Sequence, residues 1–421
     1  MMLKALVVFA LTYCLMIALP RFRPLTACAG ALAFLLLKLI PPDRALASIQ
    51  WNVLLMIGGT MGVVSLFSAT GMPARMADRI TRLVPDVRWA ILALSLLASL
   101  VSALVDNVAT VLMIAPVAIA VAEKQRINPV PMLIAIAVSS NLQGAATLVG
   151  DTTSILMGSE AGMDFLDFFW FRGRLGIFWV VQAGCLAAMG MLLLLFRRER
   201  SPVNASRLTP VTDYFPTVLL CAMVILLIAV SFLPEKPENA NGWICLGLFV
   251  LGLLRELSRG NRAGAARAIR EVDWSTLLLL LSLLVVIGGL TYTGVIDALS
   301  RTFLALAGRS LFSCYTLIVW FSVLASAFVD NIPYVATMLP VMTAAAAAMG
   351  VTPYILYYGL LIGATLGGNL TPIGASANIT ALGLLEKRGY RVRSGDYLRI
   401  GVPFTLAAVA TGYGMVWLLW R

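Results

Sequence analysis

Two acidic residues lie inside stretches of the sequence that are otherwise apolar. Asp106 lies within SALVDNVATVLMIAPV, residues 102–117, and Asp330 lies within SAFVDNIPYVATMLPV, residues 326–341. A carboxylate in such a stretch costs about 2.5–3.5 kcal/mol on insertion scales, so it needs a compensating role. It could cap the helix that follows, although a neutral Ser or Asn would cap at lower cost. A carboxylate in both stretches therefore predicts a site that binds a proton or a cation.

The two stretches are copies of one motif. When Asp106 is aligned on Asp330, half of the positions in the two stretches are identical. The same alignment, here called the repeat register, continues downstream without a gap, where Thr147 falls on Thr371 and Ser154 falls on Asn378. A repeat of this length with an acid in each copy is typical of secondary transporters that are built from two related halves.

Two further apolar stretches, 131–159 and 355–385, are interrupted by glycine, proline and hydroxyl side chains. Unwound backbone there can bind an ion or a hydroxylated solute through its carbonyls and through Ser, Thr and Asn side chains. Close packing of small residues between helices is the alternative. The candidate binding residues for a solute and for H+ or Na+ are Asp106, Asn107, Thr110, Gly150, Asp151, Thr152, Thr153, Ser154, Asp330, Asn331, Asn369, Thr371, Gly374, Ser376 and Asn378.

Composition identifies the environment as a lipid bilayer. Apolar residues make up 60% of the chain and charged residues 12%, with a mean hydropathy of +0.93. The net charge of +11 comes without basic runs that contain aromatic residues, so no nucleic-acid partner is expected. The cysteines are scattered and histidine is absent, which predicts no cofactor and no metal site other than Na+ at the residues above. No GxxxxGK[ST] loop is present, so an ATP-driven mechanism would need a separate ATPase subunit.

The arginines between the apolar stretches indicate how the chain crosses the membrane. Three loops rich in arginine, 197–207, 255–270 and 387–399, are predicted to be cytoplasmic. The sparser basic residues Arg44, Arg172, Arg174, Lys236, Arg301 and Arg309 are then outside. This arrangement predicts an all-α polytopic protein with about ten spanning helices, two re-entrant hairpins and both termini outside. The alternative is that each hairpin consists of two helices that cross the membrane, which would reverse the orientation of every helix that follows.

The orientation gives the two copies opposite topology, so the repeats are predicted to be inverted. Residues 1–46 form N-terminal scaffold helices, and residues 197–273 form a linker with two more. The first repeat, 47–196, contains an amphipathic surface helix at 69–88, a hairpin at 89–122 and the broken helix at 131–159. The second repeat, 274–421, contains a hairpin at 311–349 and the broken helix at 355–385.

Several motifs resemble the ion transporter superfamily, in the citrate-transporter-like branch with arsenite permeases, the pigmentation P protein and Na+/H+ antiporters. The motifs are DNVATVLMIAPV, EVDWSTLLLLLSLL, SAFVDNIPYVATMLPV and GATLGGNLTPIGASAN, and the likeness covers about residues 45–420. It implies a multi-pass protein of the bacterial inner membrane, often a homodimer with an elevator motion. It also implies that substrate binds between hairpin tips and helix breaks. Many relatives have Gly-Asp-Pro-Pro-Asn where this chain has Gly-Asp-Thr-Thr-Ser at 150–154, a sequence that is similar to the arsenite permeases.

The residue types at the site narrow the choice of solute. The candidate residues include three aspartates and neither lysine nor arginine, so a naked dianion would be repelled. A neutral hydroxylated solute such as arsenous acid avoids that repulsion. The sequence thus predicts arsenite or antimonite efflux coupled to H+ or Na+, with Na+/H+ antiport and Na+-coupled carboxylate or inorganic anion transport as alternatives. An intramembrane aspartyl protease is disfavoured, because such enzymes need GxGD and Leu148-Val149-Gly150 precedes Asp151 here.

Overall fold

The protein is almost entirely helical. A computed structural model describes residues 1–203, 208–233, 237, 239–308 and 310–421, so Arg207, Lys236 and Arg309, which bear on the orientation, lie outside the described residues. The strands of this part are β1 (Trp170–Phe171) and β2 (Arg174–Leu175), which pair antiparallel.

The first half of the chain has three N-terminal helices and then a series of seven. The N-terminal helices are α1 (Met2–Ala18), α2 (Arg23–Leu36) and α3 (Pro42–Ala47), with a 3-10 turn at Pro20–Phe22. The series of seven is α4 (Trp51–Ser68), α5 (Met72–Thr81), α6 (Val87–Ser102), α7 (Asn107–Lys124), α8 (Val130–Gly144), α9 (Thr152–Ala161) and α10 (Ile177–Leu195), with a 3-10 turn at Leu166–Phe168.

The second half repeats this order. Its leading helices are α11 (Phe215–Ser231), α12 (Ala240–Ser258) and α13 (Arg262–Glu271). The following seven are α14 (Trp274–Tyr292), α15 (Val295–Ala307), α16 (Leu311–Ser326), α17 (Asn331–Met349), α18 (Tyr354–Gly367), α19 (Ser376–Lys387) and α20 (Ser394–Trp420), with a 3-10 turn at Gly368–Leu370. The helices α4–α10 therefore correspond one to one with α14–α20.

Helix packing follows the same correspondence. Helix α6 packs on α8 as α16 packs on α18, and α5 packs on α7 as α15 packs on α17. The leading pair α1 and α2 packs on α14 of the second repeat, while α11 and α12 pack on α4 of the first repeat. Each half of the chain thus supplies scaffold helices to the other half.

The first helices of the two repeats run antiparallel. Gly58 in the middle of α4 faces Leu277 of α14, whereas Ser65 near the end of α4 bonds Glu271, just before α14 begins. This direction agrees with inverted repeats, whose placement relative to the two sides of the membrane stays a prediction.

Two helix–turn–helix units and two interrupted helices lie at the positions where the sequence predicts the hairpins and the broken helices, and the re-entrant character of the hairpins stays a prediction. Helices α6 and α7 are joined by the turn at 103–106, and α16 and α17 by the turn at 327–330. Ser322 and Tyr334 keep the arms of the second hairpin side by side, with their hydroxyls 2.9 Å apart. The first broken helix is interrupted between α8 and α9, and the second between α18 and α19. The amphipathic helix predicted at 69–88 is the shorter α5, because α6 already begins at Val87.

The number of spans depends on how bent and broken helices are counted. By length and hydropathy, the described residues contain seven helices that could cross a membrane, or nine if each of two strongly bent pairs is one span. The sequence count of about ten differs because it includes α1 and α2 as separate spans, α11, which has 17 residues, and the two broken helices, whose halves have at most 15. The seven also include the hairpin arms α7 and α17.

Contacts join the chain before α11 to one arginine-rich loop and join another arginine-rich loop to the end of α7. Asp213, before α11, pairs with Arg255 and with Arg259 at 3.0 Å, and the Arg255 guanidinium holds the pKa of the Asp213 carboxyl below its usual range. Arg388 Nη1 lies 3.4 Å from Oε1 of Glu123 at the end of α7. These contacts are compatible with a single cytoplasmic face, which stays a prediction.

The orientation can be tested at the two ends of α12. We expect a cysteine at Ser258 to react with a membrane-impermeant reagent only from the cytoplasm, and one at Asn239 only from outside, since the helix between them is about 28 Å long. The measurement is labelling of intact cells and inverted vesicles in a background without native cysteines. Labelling of both positions from the same side would contradict the predicted orientation.

Candidate functional site

The hairpin tips are held by hydrogen bonds that recur in both repeats. Ser102 Oγ donates to Asn107 Oδ1 at 2.7 Å, and Ser326 makes the same bond to Asn331. A threonine of each helix break donates to a tip carbonyl: Thr147 to Ala103, and Thr371 to Ala327. Residues that are equivalent in the repeat register therefore share hydrogen-bond contacts as well as residue types.

The helix breaks are closed by a second recurring set. Ser154 Oγ donates to Gly144 O at 2.9 Å, and its counterpart Asn378 donates through Nδ2 to Gly368 O at 3.0 Å. Gly150 and its counterpart Gly374 each approach three backbone carbonyls, two of which belong to the adjoining hairpin tip. A side chain at either glycine would separate the break from the tip.

All three candidate aspartates cap helices. Asp106 Oδ1 accepts from Val108 N and Ala109 N at the start of α7, at 2.9 and 3.2 Å. Asp330 Oδ1 accepts from Ile332 N at 3.1 Å at the start of α17. Asp151 caps α9 through Thr152 N at 2.8 Å and also accepts from Thr153 Oγ1 at 2.7 Å. Each of the three aspartates is thus a helix cap. Asp106 and Asp330 cap with Oδ1 alone, which leaves their second carboxylate oxygen for another contact.

The capped helix starts meet at one cavity of about 430 Å³. Of the candidate residues, seven line it: Asp106, Asn107, Asp151, Thr152, Asp330, Asn331 and Ser376. The other eight do not, and they are Thr110, Gly150, Thr153, Ser154, Asn369, Thr371, Gly374 and Asn378. Their contacts give most of these eight a role in holding the tips and breaks rather than in facing a solute.

A buried amide cluster joins the two broken helices. Asn141 Nδ2 of α8 donates to Asn369 Oδ1 at 2.7 Å and to Asn378 Oδ1 at 3.1 Å. A second contact between the two broken helices joins Thr153 and Thr365, whose hydroxyls lie 3.1 Å apart. Asn141 also lines the cavity, although it is not among the residues predicted from the sequence. The repeat register maps Asn141 on Thr365, so each repeat places a polar side chain at this position.

Two more acids that the sequence did not predict as site residues line the cavity. Glu271 ends α13 and accepts from Ser65 Oγ at 2.6 Å. Asp273 caps α14 through Thr276 N at 3.1 Å and Thr276 Oγ1 at 2.6 Å. Both belong to the EVDWST motif. The family resemblance identifies this motif in the sequence but does not indicate that it lies near the hairpin tips.

One basic side chain contacts a candidate residue, although the candidate residues themselves include no lysine or arginine. Arg23 Nη1, at the start of α2, lies 2.8 Å from Asp330 Oδ2. The two residues are 307 positions apart. They meet because the N-terminal helices pack on the second repeat, a crossover that neither hydropathy nor motif spacing reveals. Among the described residues that line the cavity itself, none is Lys or Arg.

Comparison with known proteins agrees with a helical protein that crosses the membrane several times. The protein is a multi-pass membrane transporter. It belongs to the citrate transporter family (CitMHS), which matches residues 13–363.

The family and the relatives include named transporters, which places the protein among transporters rather than enzymes. It is 32% identical to a "46 kDa membrane protein" of Mycobacterium leprae, with 98% of each chain covered. It is also 32% identical to an uncharacterized transporter of Mycobacterium tuberculosis, covering 99% of this chain and 98% of the relative. Identity to the human P protein is 28%, over 99% of this chain and 59% of that protein.

A solved structure shares the fold. The YdaH transporter of Alcanivorax borkumensis superposes with a TM-score of 0.62 at 15% identity, covering 88% of this chain and 85% of that one. The family match and the relatives confirm the superfamily named from the motifs, and the solved structure confirms the polytopic helical fold.

Proposed function

We propose that this protein is a secondary active transporter that couples solute movement to H+ or Na+ through the acids of the cavity. The observation that carries the proposal is Asp106, whose Oδ1 caps α7 while the residue lines the cavity. Its carboxylate has no basic partner among the described residues. An acid in that position can take up and release a cation during a transport cycle.

The charge of the wall bears on the solute. Asp106, Asp151, Asp330, Glu271 and Asp273 line the cavity. Arg23 compensates one of them, so a free polyanion still meets repulsion. A neutral hydroxylated solute does not, and hydroxyl and amide groups of Asn141, Thr152 and Ser376 are available to bind it. Arsenous or antimonous acid, expelled against a proton or Na+ gradient, is our first candidate.

A carboxylate that travels with a bound cation is the second candidate, and membership of the citrate transporter family favours it. A divalent cation would bridge the acidic wall and the carboxylate groups of the solute, because hard cations prefer oxygen ligands. Na+/H+ exchange needs the acids alone and stays a third arm of the test.

Flux into liposomes that contain the purified protein separates these candidates. Arsenite, citrate with and without Mg²⁺, and ²²Na+ are supplied under an imposed pH gradient, then under a Na+ gradient. The proposal expects one of them to accumulate only when a gradient is present. Arsenite accumulation supports the first candidate, and citrate accumulation that requires Mg²⁺ supports the second. Equal flux of every solute with and without gradients would contradict coupled transport.

The cysteines should be dispensable even if arsenite is the solute. Capture of arsenite by thiolates needs converging sulfur atoms, and none of the six cysteines lines the cavity. Three of them are buried in separate helices: Cys185, Cys245 and Cys314. We expect a variant with all six replaced by Ala or Ser to keep most of its transport in the same liposome assay. Complete loss in a correctly folded cysteine-free protein would contradict this expectation.

A further inference from the structure

The two equivalent hairpin-tip acids have different surroundings. Asp106 keeps a carboxylate oxygen that neither caps α7 nor contacts a basic side chain of the described residues. Asp330 caps α17 with Oδ1 and accepts from Arg23 with Oδ2. The duplication is thus symmetric in sequence and in capping but asymmetric in charge.

Arg23 is held in place by the N-terminal helices. It begins α2, which packs on α14. On neighbouring α1, Tyr13 donates to Pro333 O at 2.7 Å and bonds the hydroxyl of Thr337 in the first turns of α17. The side chains of Arg23 and Asp330 are 25% and 19% exposed. A charge-assisted hydrogen bond with this much burial is stronger than an exposed surface ion pair.

From these contacts we propose that Arg23 is a tethered cation for Asp330, and that it takes the place of an ion from solution in the second repeat. The first repeat, with Asp106, is then the one whose tip acid exchanges its cation with solution. This inference rests on the proposed function, in which hairpin-tip acids handle the coupling ion. Asp151, at the first helix break, interacts electrostatically with Asp330, and Tyr13 of α1 bonds the carbonyl of Pro333 three residues after it. The acids Asp106, Glu271 and Asp273 line the same cavity as Asp330.

The proposal predicts a new cation dependence when the tether is removed. In Arg23→Gln the Asp330 carboxylate still caps α17 but has lost its basic partner. Na+ or a proton should therefore bind it and stabilise the folded state. We expect the melting temperature of the purified variant to rise by a few degrees with added NaCl, or with falling pH, beyond any rise in the wild type. Choline chloride at equal concentration controls for ionic strength. The double variant Arg23→Gln/Asp330→Asn should lose this added dependence.

Matched variants distinguish the tether from a general effect of charge. Arg23→Lys keeps the cation and Arg21→Gln removes an exposed charge two residues earlier, so both should behave like the wild type. If Arg23→Gln shows the same Na+ and pH dependence as the wild type, the tether is refuted. The same holds if the double variant keeps the added dependence. Because melting needs no transported solute, these outcomes do not depend on the flux assay.

Transport by the same variants gives an independent test. Asp330→Asn leaves a partly buried guanidinium without its partner and should lose most coupled flux. Arg23→Gln/Asp330→Asn removes both charges and should regain it. A folded double variant that stays as inactive as Asp330→Asn would show that Asp330 itself exchanges the ion, and would overturn the proposal. Failure of the proposed function would instead appear as wild-type flux that ignores both gradients.

Discussion

Asp106→Asn is expected to abolish accumulation driven by a gradient while the protein still folds. Asparagine is nearly isosteric, and its Oδ1 can still accept from Val108 N and Ala109 N, so the cap of α7 survives. What the variant loses is the negative charge on the cavity wall. Without that charge, no proton or cation can be taken up at this tip, so coupled flux should fall to the level of empty liposomes.

A matched control separates capping from coupling. Asp86 caps α6 through Trp89 N at 3.0 Å and does not line the cavity. Asp86→Asn should therefore retain wild-type accumulation under the same pH gradient. Asp106 would be a cap alone if Asp106→Asn also transported normally with an unchanged pH profile, and the proposed coupling site would then be wrong.

The elements that position this site were predictable because their signals are local or repeated. The repeat register located both hairpin tips, and glycine with hydroxyl residues located both helix breaks. Helix starts follow the repeat to within one residue, since α4 begins at Trp51 and α14 begins at Trp274. The insertion free energy of an acid within an apolar stretch is high enough that such an acid indicates a functional site even in a single sequence.

The remaining part of the site was hidden because it depends on long-range packing. Arg23 reaches Asp330 only through the crossover of the N-terminal helices to the second repeat. Glu271 and Asp273 lie just before and at the start of a spanning helix, where a sequence reading assigns them to a loop or a cap. Asn141 sits inside a long apolar stretch, and its amide partners come from the other repeat. Such contacts follow from the tertiary fold rather than from any local pattern.

Many polar residues of the tips and breaks do not line the cavity because they hold the backbone there. Thr147 and Thr371 bond hairpin-tip carbonyls, and Ser154 and Asn378 bond carbonyls at the helix breaks. Unwinding a helix in a membrane frees backbone groups that must find partners inside the protein. Some of the hydroxyl and amide side chains at a break therefore serve to satisfy the backbone groups that the break frees. Only the others remain available to bind a ligand.

Gly374→Ala should produce a large loss of stability and of transport. A methyl group on Gly374 would lie 2.5 Å from Gly368 O, 2.9 Å from Ser326 O and 3.0 Å from Ala327 O. Overpacking in a well-packed interior costs about 1–3 kcal/mol. Here the neighbours are backbone carbonyls, which cannot rotate away as a side chain would. The methyl group should therefore push the second hairpin tip off the helix break, lower the melting temperature in detergent and remove coupled flux.

A glycine in the adjoining helix provides the matched control. Gly383 lies within α19, and a methyl group there would meet no atom within 4 Å. Alanine is favoured over glycine inside a helix by about 0.8–1.0 kcal/mol, so Gly383→Ala should melt at or above the wild-type temperature and keep its transport. The first repeat allows the same experiment, because Gly150 approaches the equivalent carbonyls of Gly144, Ala103 and Ser102. If Gly374→Ala and Gly383→Ala melted and transported alike, close contact between tip and break would not be what holds the cavity together.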